Sequence, residues 1–197
     1  MTVDLLSVWF AAVATGWLLF NLGVLASLRH VPPLVSLRRT TSSPKSEPGV
    51  TVVVAARNEA ERIEESVRRL LAQSAVDLEL VVVDDRSDDG TREILEGLST
   101  EDPRLRIVRV DELPDDWLGK QHACHVGSKA ARGEWILFTD ADTWMSPELI
   151  ADSVRAAVAQ QADLLCLLPL QKRINVWGRA AVLNFSMGLV IAAARAN

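Results

Sequence analysis

The sequence predicts an α/β fold, a mostly parallel sheet with helices on both faces, preceded by one transmembrane helix. Three observations carry that reading. Short β-branched apolar runs alternate with stretches of helical period across residues 50–168. The first of those runs shows no polar alternation, as expected of a strand covered on both faces. An uncharged stretch from Leu5 to Leu28 is long enough to cross a bilayer core, which takes about 20 apolar residues.

Composition bounds the possibilities. The 197 residues are 49% hydrophobic, carry a net charge of −5 and include 2 cysteines. That excludes a disordered chain, a collagen-like chain and a disulfide scaffold. An acidic balance also argues for no nucleic-acid partner, since such binders present a basic surface. Much of the apolar excess sits at the two ends.

The N-terminal segment begins Met1-Thr2-Val3-Asp4, without the positive n-region of a signal peptide, so it is expected to be retained. Arg29, Arg38, Arg39 and Lys45 follow it, and the positive-inside rule places everything after Arg29 in the cytoplasm. The expected location is the cell membrane, with a single visible pass. Pro32, Pro33, Pro44 and Pro48 mark the next stretch as a juxtamembrane linker.

Residues 50–56 are the first strand. Helical period follows over 59–71, with Ala60, Ile63, Val67, Leu70 and Leu71 on one face and the pairs Glu64/Arg68 and Glu65/Arg69 on the other. A second strand spans 78–83. Asp88 or Asp89 caps a helix over 91–98 that buries Ile94, Leu95 and Leu98. A third strand spans 105–110, a helix 120–131 and a fourth strand 134–139. Ser146 as N-cap and Pro147 at the first helical position start a helix reaching 159. Residues 164–168 read as a fifth strand, with Cys166 a buried small hydrophobe.

In such sheets function gathers at the carboxyl ends of the strands. Arg57, Asn58 and Glu59 follow the first strand, Asp84 and Asp85 the second, Asp140 and Asp142 the fourth. Asp140 and Asp142 can share a hard cation, Mn2+ or Mg2+, that keeps positions open for phosphate and water. The alternative for that pair is helix capping and loop solvation. Asp85 can accept from a base or a ribose, whereas Asp88 and Asp89 read as turn chemistry. Lys120 at a helix start is either an anion site for a diphosphate or a surface lysine. Trp117 either lines a sugar or lipid pocket or plugs its loop. His122, Cys124 and His125 stand too close together to make a tetrahedral zinc site. Cytosolic placement argues against a Cys124–Cys166 disulfide.

Four segments then occur in order: Val53-Val54-Ala55-Ala56-Arg57-Asn58-Glu59, Val83-Asp84-Asp85-Arg86-Ser87-Asp88-Asp89-Gly90-Thr91, Gly119-Lys120 and Phe138-Thr139-Asp140-Ala141-Asp142. Together they resemble the family-2 glycosyltransferases, whose fold is the Rossmann-like, nucleotide-sugar-binding GT-A fold. The loop Leu113-Pro114-Asp115-Asp116-Trp117-Leu118-Gly119-Lys120, with the N-terminal helix, is most similar to the membrane-bound branch acting on lipids. That branch includes hopanoid-associated, carotenoid-pathway and ceramide-type enzymes. The resemblance implies a nucleotide-sugar donor, usually a UDP-sugar, and a lipid or other membrane-proximal acceptor. It implies that Ala55, Arg57 and Glu59 lie along the nucleotide, with Asp85 on the base. Asp140 would face the ribose or the metal, and Asp142 would coordinate Mn2+ or Mg2+ at the diphosphate. The reaction would invert the anomeric centre in one displacement.

Two departures from the family pattern stand out. Cys124 and His125 stand where many members carry Arg or Leu and then Asn. The catalytic base normally follows the metal motif at a distance, yet no acid occurs after Asp163, so the base is expected beyond Asn197. Gln171-Lys172-Arg173, Trp177-Gly178-Arg179 and an apolar run over 180–194, either an interfacial helix near the lipid acceptor or, as favoured here, a core helix, come last. The expected organisation is a transmembrane helix (1–29), a linker (30–48), a GT-A domain (49–170) and the incomplete start of an acceptor-side region (171–197). Two other functions stay open. One is a truncated or degenerate, non-catalytic nucleotide-sugar binder; the other is a haloacid-dehalogenase-type phosphotransferase with Asp140 as nucleophile.

Overall fold

The computed structural model describes residues 4–28, 48–74 and 77–167. The linker, the basic-aromatic segments and the 180–194 run lie outside them. Contacts divide the chain into two units, one holding the N-terminal helix and the other the α/β domain.

The helix α1 (Leu5–Leu28) is apolar all round, with Leu5, Trp9, Trp17 and Phe20 exposed. Its 24 residues reach roughly 36 Å at 1.5 Å per residue, more than the roughly 30 Å of a bilayer core. The helix is therefore long and apolar enough to span a membrane. Asp4 Oδ1 accepts the Leu6 N–H at 3.0 Å, and Asn21 donates its side-chain amide to the Trp17 carbonyl at 2.7 Å.

The α/β domain runs β1 (Val50–Ala56), α2 (Ile63–Leu71), β2 (Leu78–Asp85), α3 (Thr91–Glu101), β3 (Leu105–Val110), α4 (Gly119–Ala130), β4 (Trp135–Asp140) and α5 (Leu149–Ala159). The strands pair in parallel in the order β3-β2-β1-β4, so β1 and β2 are central. Their valines explain why. β-Branched residues suit the pleated backbone, and Val52, Val53, Val54, Val81, Val82 and Val83 are all buried, which only a sheet covered on both faces allows.

Two clusters cover those faces. On one, Val50, Val52, Val54, Leu80 and Val82 pack with Ile63 and Val67 of α2, Leu95 and Leu98 of α3 and Ile150 of α5. On the other, Val53, Val81 and Val83 pack with Ala123 of α4. The second layer is thin because α4 lies close to the sheet. A Cβ placed on Gly127 would overlap the Val53 side chain and stand 3.0 Å from Val83 Cγ2. The surface pairs form as the sequence indicates, with Arg68 on Glu64 at 3.0 Å and Arg69 on Glu65 at 2.6 Å.

Three expectations are corrected. α2 begins at Ile63, not at residue 59: residues 60–62 form a turn whose Glu59 carbonyl accepts the Arg62 and Ile63 N–H groups, while the Glu59 and Ala60 N–H groups bond to Thr91 and Asp89. α5 begins at Leu149 with Glu148, not Ser146, as its N-cap; the Ser146 carbonyl accepts the Leu149 N–H and the Gln73 side chain, and the Pro147 carbonyl accepts the Ser74 N–H. Residues 164–167 pair with no strand, and Leu164 and Cys166 are exposed rather than buried. An apolar run becomes a strand only where a ladder partner exists. Both cysteines are free.

The close approach of α4 generates a contrast between two helical glycines. Gly127→Ala should lower unfolding free energy by about 1–3 kcal/mol through overpacking. Gly97→Ala, with open space around it in α3, should be neutral or stabilising by up to about 1 kcal/mol. Urea denaturation of the two variants measures the difference.

Candidate functional site

The parallel register sets the site. Ala55 of β1 lies beside Val83 of β2 and Asp140 of β4, and Ala56 lies beside Asp84. The acidic strand ends therefore reach the same edge of the sheet. Each end leaves the strand abruptly: Asn58 and Arg86 both adopt left-handed backbone, at φ 55° and 59°. Arg86 carries a full side chain there, a conformation that persists only where its surroundings hold it.

Those surroundings are hydrogen bonds between loops. Asp89 Oδ2 accepts the Ala60 N–H at 3.0 Å, and its Oδ1 accepts the Thr91 N–H at 3.0 Å and the Thr91 hydroxyl at 2.5 Å. Thr91 Oγ1 in turn accepts the Glu59 N–H at 2.9 Å. Asn58 exchanges bonds with the other loop as well, donating its N–H to Ser87 Oγ at 3.1 Å and accepting the Asp88 N–H at 3.0 Å. Asp89 thus ties the loop after β1 to the start of α3. Asp88 is exposed, and its side chain has no partner among the described residues.

The two acids ending β2 differ. Asp84 is fully buried and accepts from Arg92 Nε at 2.8 Å, an internal ion pair that anchors α3. Asp85 is also buried and takes Arg86 in a two-point contact, Nε at 2.8 Å and Nη2 at 3.2 Å. Gly119 lies against this pair. A Cβ there would stand 2.8 Å from Asp85 Oδ2, so the loop can approach only as glycine. The next residue, Lys120, opens α4 and forms an ion pair with Asp140 at the end of β4. Ala55, Asp140, Lys120, Gly119 and Asp85 are therefore contiguous. Arg57 and Glu59 leave β1 at the same edge without joining that cluster; Arg57 is exposed and Glu59 half-buried.

Trp117 is 36% exposed and lies outside both core clusters. It stacks on His125 at 4.9 Å between ring centroids and meets His122 edge-on at 5.4 Å, covering the first turns of α4. Burial pushes the Cys124 thiol up, with the Lys120 ammonium opposing it.

Asp142 stands apart. It is exposed and has no hydrogen-bond or ion-pair partner among the described residues. Its loop is held from α2 and from the residues just after it. Gln73 donates to the Ser146 carbonyl at 2.8 Å and accepts the Ile150 N–H at 3.3 Å, and the Arg69 guanidinium lies 3.7 Å from the centre of the Trp144 ring. Sequence reasoning missed Arg69, Gln73, Ser87 and Thr91 as supports. Among the described residues no three His, Cys, Asp or Glu side chains gather to hold a metal. Asp140 and Asp142 still present two carboxylates at one strand end. That all-oxygen set fits a Mg2+- or Mn2+-type ion completed by phosphate and water, and does not fit zinc.

The loop clamp has a pH signature. The Thr91 hydroxyl and the Ala60 amide hold the Asp89 carboxyl below the usual carboxylate range. With the folded value below an unfolded value of about 3.9, the clamp is complete above that pH and lost as pH falls through the folded value. Asp89→Asn should flatten the acid limb of stability below about pH 4. Asp89→Ala should speed hydrogen exchange at the Ala60 and Thr91 amides near neutral pH, whereas Asp88→Ala should change neither.

Known proteins resemble this chain in sequence and in fold. Residues 51–190 match the sequence profile of Glycosyl transferase family 2. The succinoglycan biosynthesis protein ExoO of Rhizobium meliloti is 37% identical over 117 residues, 59% of this chain and 32% of its own length. A 4,4'-diaponeurosporenoate glycosyltransferase of Staphylococcus haemolyticus is 29% identical over 112 residues, 57% of this chain and 29% of its own. Among solved structures, the mannosyltransferase PcManGT from Pyrobaculum calidifontis, in complex with GDP-Man and Mn2+, is similar with a TM-score of 0.55 at 28% identity. That likeness covers 74% of this chain and 43% of the other. The chain spans about a third of the length of these curated relatives. With the profile matched from the first strand through the last described helix and beyond, and the sheet likeness agreeing, the chain belongs to glycosyl transferase family 2.

Proposed function

We propose that this chain is the donor-binding part of a membrane-tethered, inverting glycosyltransferase. It would move a sugar from a nucleotide sugar, expected to be a UDP-sugar, to a lipid or other membrane-proximal acceptor. The observation that carries the reading is the junction of Lys120, Asp140, Ala55 and the Gly119–Asp85 contact at the carboxyl edge. It combines a cation at a helix start, two strand-end acids and a strand end kept small. An anionic diphosphate needs the first, a ribose and base the second, and a flat nucleotide the third.

In this reading Ala55, Arg57 and Glu59 lie along the nucleotide and Asp85 faces the base. Lys120 and the exposed N–H groups of α4 meet the diphosphate, so its charge is compensated as it leaves. Asp142, with Asp140, would hold Mn2+ or Mg2+, and a bound ion supplies Lewis-acid stabilisation of the departing diphosphate. Asp142 is the readier ligand because Asp140 must first exchange Lys120. The acceptor oxygen bonds to the anomeric carbon as the carbon–diphosphate bond breaks, and the acceptor proton passes to a base outside the described residues. The apolar length of α1 supports the membrane tether, and the name of the staphylococcal relative supports a lipid-like acceptor.

Calorimetry with the full chain in detergent tests this reading. UDP or GDP should bind with a Mn2+ dependence that Asp142→Ala weakens by about 10–100-fold, the scale set by losses around metal sites. Lys120→Ala should weaken binding about tenfold by removing a charge-assisted bond. Absence of nucleotide binding by the wild type, or equal binding by Asp142→Ala, would contradict the proposal. Lipid product from this chain would exclude the non-catalytic alternative.

A further inference from the structure

Arg86 has no part in the proposed function, yet it stands at the carboxyl edge. It follows β2 directly, and its backbone is left-handed at φ 59°, a conformation that glycine adopts more readily than any other residue. An arginine kept there against that preference points to a use for its side chain.

The guanidinium is fixed from two sides. Asp85 takes Nε at 2.8 Å and Nη2 at 3.2 Å, and the Gly119 backbone passes so close that a Cβ there would stand 3.2 Å from Nη2. The main chain is held too, since the Arg86 N–H donates to the Val110 carbonyl at 3.1 Å. A guanidinium presents its N–H groups as a planar fork. One side of the fork goes to Asp85. The N–H groups on Nη1 and on the outer side of Nη2 have no partner among the described residues, and the side chain is 25% exposed.

Asp85 itself is poorly placed to meet a ligand. It is 3% exposed, both its oxygens face Arg86, and Gly119 lies over it. Separating the pair would leave a buried carboxylate uncompensated, so the two side chains stay together when a ligand arrives. Asp85 therefore reaches a base through the Arg86 fork.

What this part of the edge presents is a rigid set of donors with no net charge. A lone guanidinium selects phosphate or carboxylate. One neutralised by a buried partner loses much of that attraction and keeps its planar hydrogen-bond geometry. Its complement is a neutral, planar acceptor. Within a nucleotide that is a base carbonyl, O4 of uracil or O6 of guanine, the latter a frequent arginine partner. Cytosine and adenine carry amino groups at the corresponding positions, which would set N–H against N–H.

We propose that Arg86 is a specificity-determining residue that admits keto bases, uracil or guanine, and rejects amino bases, with Asp85 as the positioning residue that aims its fork. The inference rests on the donor reading above and adds to it the class of base.

Calorimetry on the full chain in detergent, with Mn2+ present, compares UDP with CDP and GDP with ADP. The wild type should favour the keto member by about tenfold, the scale of one hydrogen bond to a charged group. A preference within the first pair identifies uracil, and within the second guanine. Arg86→Gly removes the fork and suits the left-handed backbone, whereas Arg86→Lys keeps a charge opposite Asp85 without the planar fork. Both should bring the preference to within about twofold, because neither can aim paired donors at a carbonyl. Asp85→Asn, which loosens the hold on the fork, should lower the preference part-way. If Arg86→Gly fails to fold with Asp85 left unpaired, Arg86→Lys decides. No preference for the keto member in either pair, a preference that survives in Arg86→Lys, or a loss by the same factor for all four nucleotides would overturn the proposal. Nucleotide binding without preference leaves the donor reading standing and removes this one. Binding of none of the four removes both.

Discussion

The parallel register of β1 against β2 and β4 is the constraint on which the rest depends. Ala55 opposite Val83 and Asp140, and Ala56 opposite Asp84, bring the carboxyl ends of separate strands to one line. A slip of one residue would turn Val52 and Val54 away from their core and send the strand-end acids to the opposite face. The buried valines on both faces make that slip costly, at about 1.5–3 kcal/mol for each side chain moved into water. The hydrophobic core thus fixes the geometry of polar residues it never touches.

The loops beyond that line are held by a second set of interactions, polar and local. Asp89 and Thr91 tie the loop after β1 to α3, and Arg69 of α2 with Gln73 just beyond it tie down the loop after β4. Lys120 closes the edge from the α4 side. The supports arrive from helices on both faces, so Asp140 and Asp142, one residue apart in the chain, acquire different neighbours. Asp140 faces a cation, and Asp142 is exposed with no partner among the described residues. This divergence gives a short acidic motif two distinct chemical environments.

Much of this was legible in the sequence because the signals were local. Continuous valine runs, the i,i+4 pairs on α2 and the acids after each strand gave the sheet, its helices and its working edge. Reading Asp89 as turn chemistry also held, with the structure choosing it over Asp88. What was not legible depended on long-range partners. Residues 60–62 read as helical but form a turn, capped through the Glu59 and Ala60 amides by residues about thirty positions away. Residues 164–167 had the composition of a strand without a ladder partner. Arg69 looked like an ordinary helix-surface residue, and Gln73 carried no signal at all, until the fold set the 144–150 segment against them. Gly119 read as part of a motif, while its reason, the approach of its backbone to Asp85, required coordinates.

The central claim is that the carboxyl edge of β1, β2 and β4 receives a nucleotide sugar. Hydrogen–deuterium exchange of the full chain, with and without a nucleotide sugar and Mn2+, tests it most directly. Protection concentrated in the loops at 57–60, 85–91, 117–121 and 140–144, with the amino edge around Thr51 and Gly133 unchanged, is the result this account predicts. Protection at the amino edge, or none at the four loops under conditions where the ligand is bound, would contradict it.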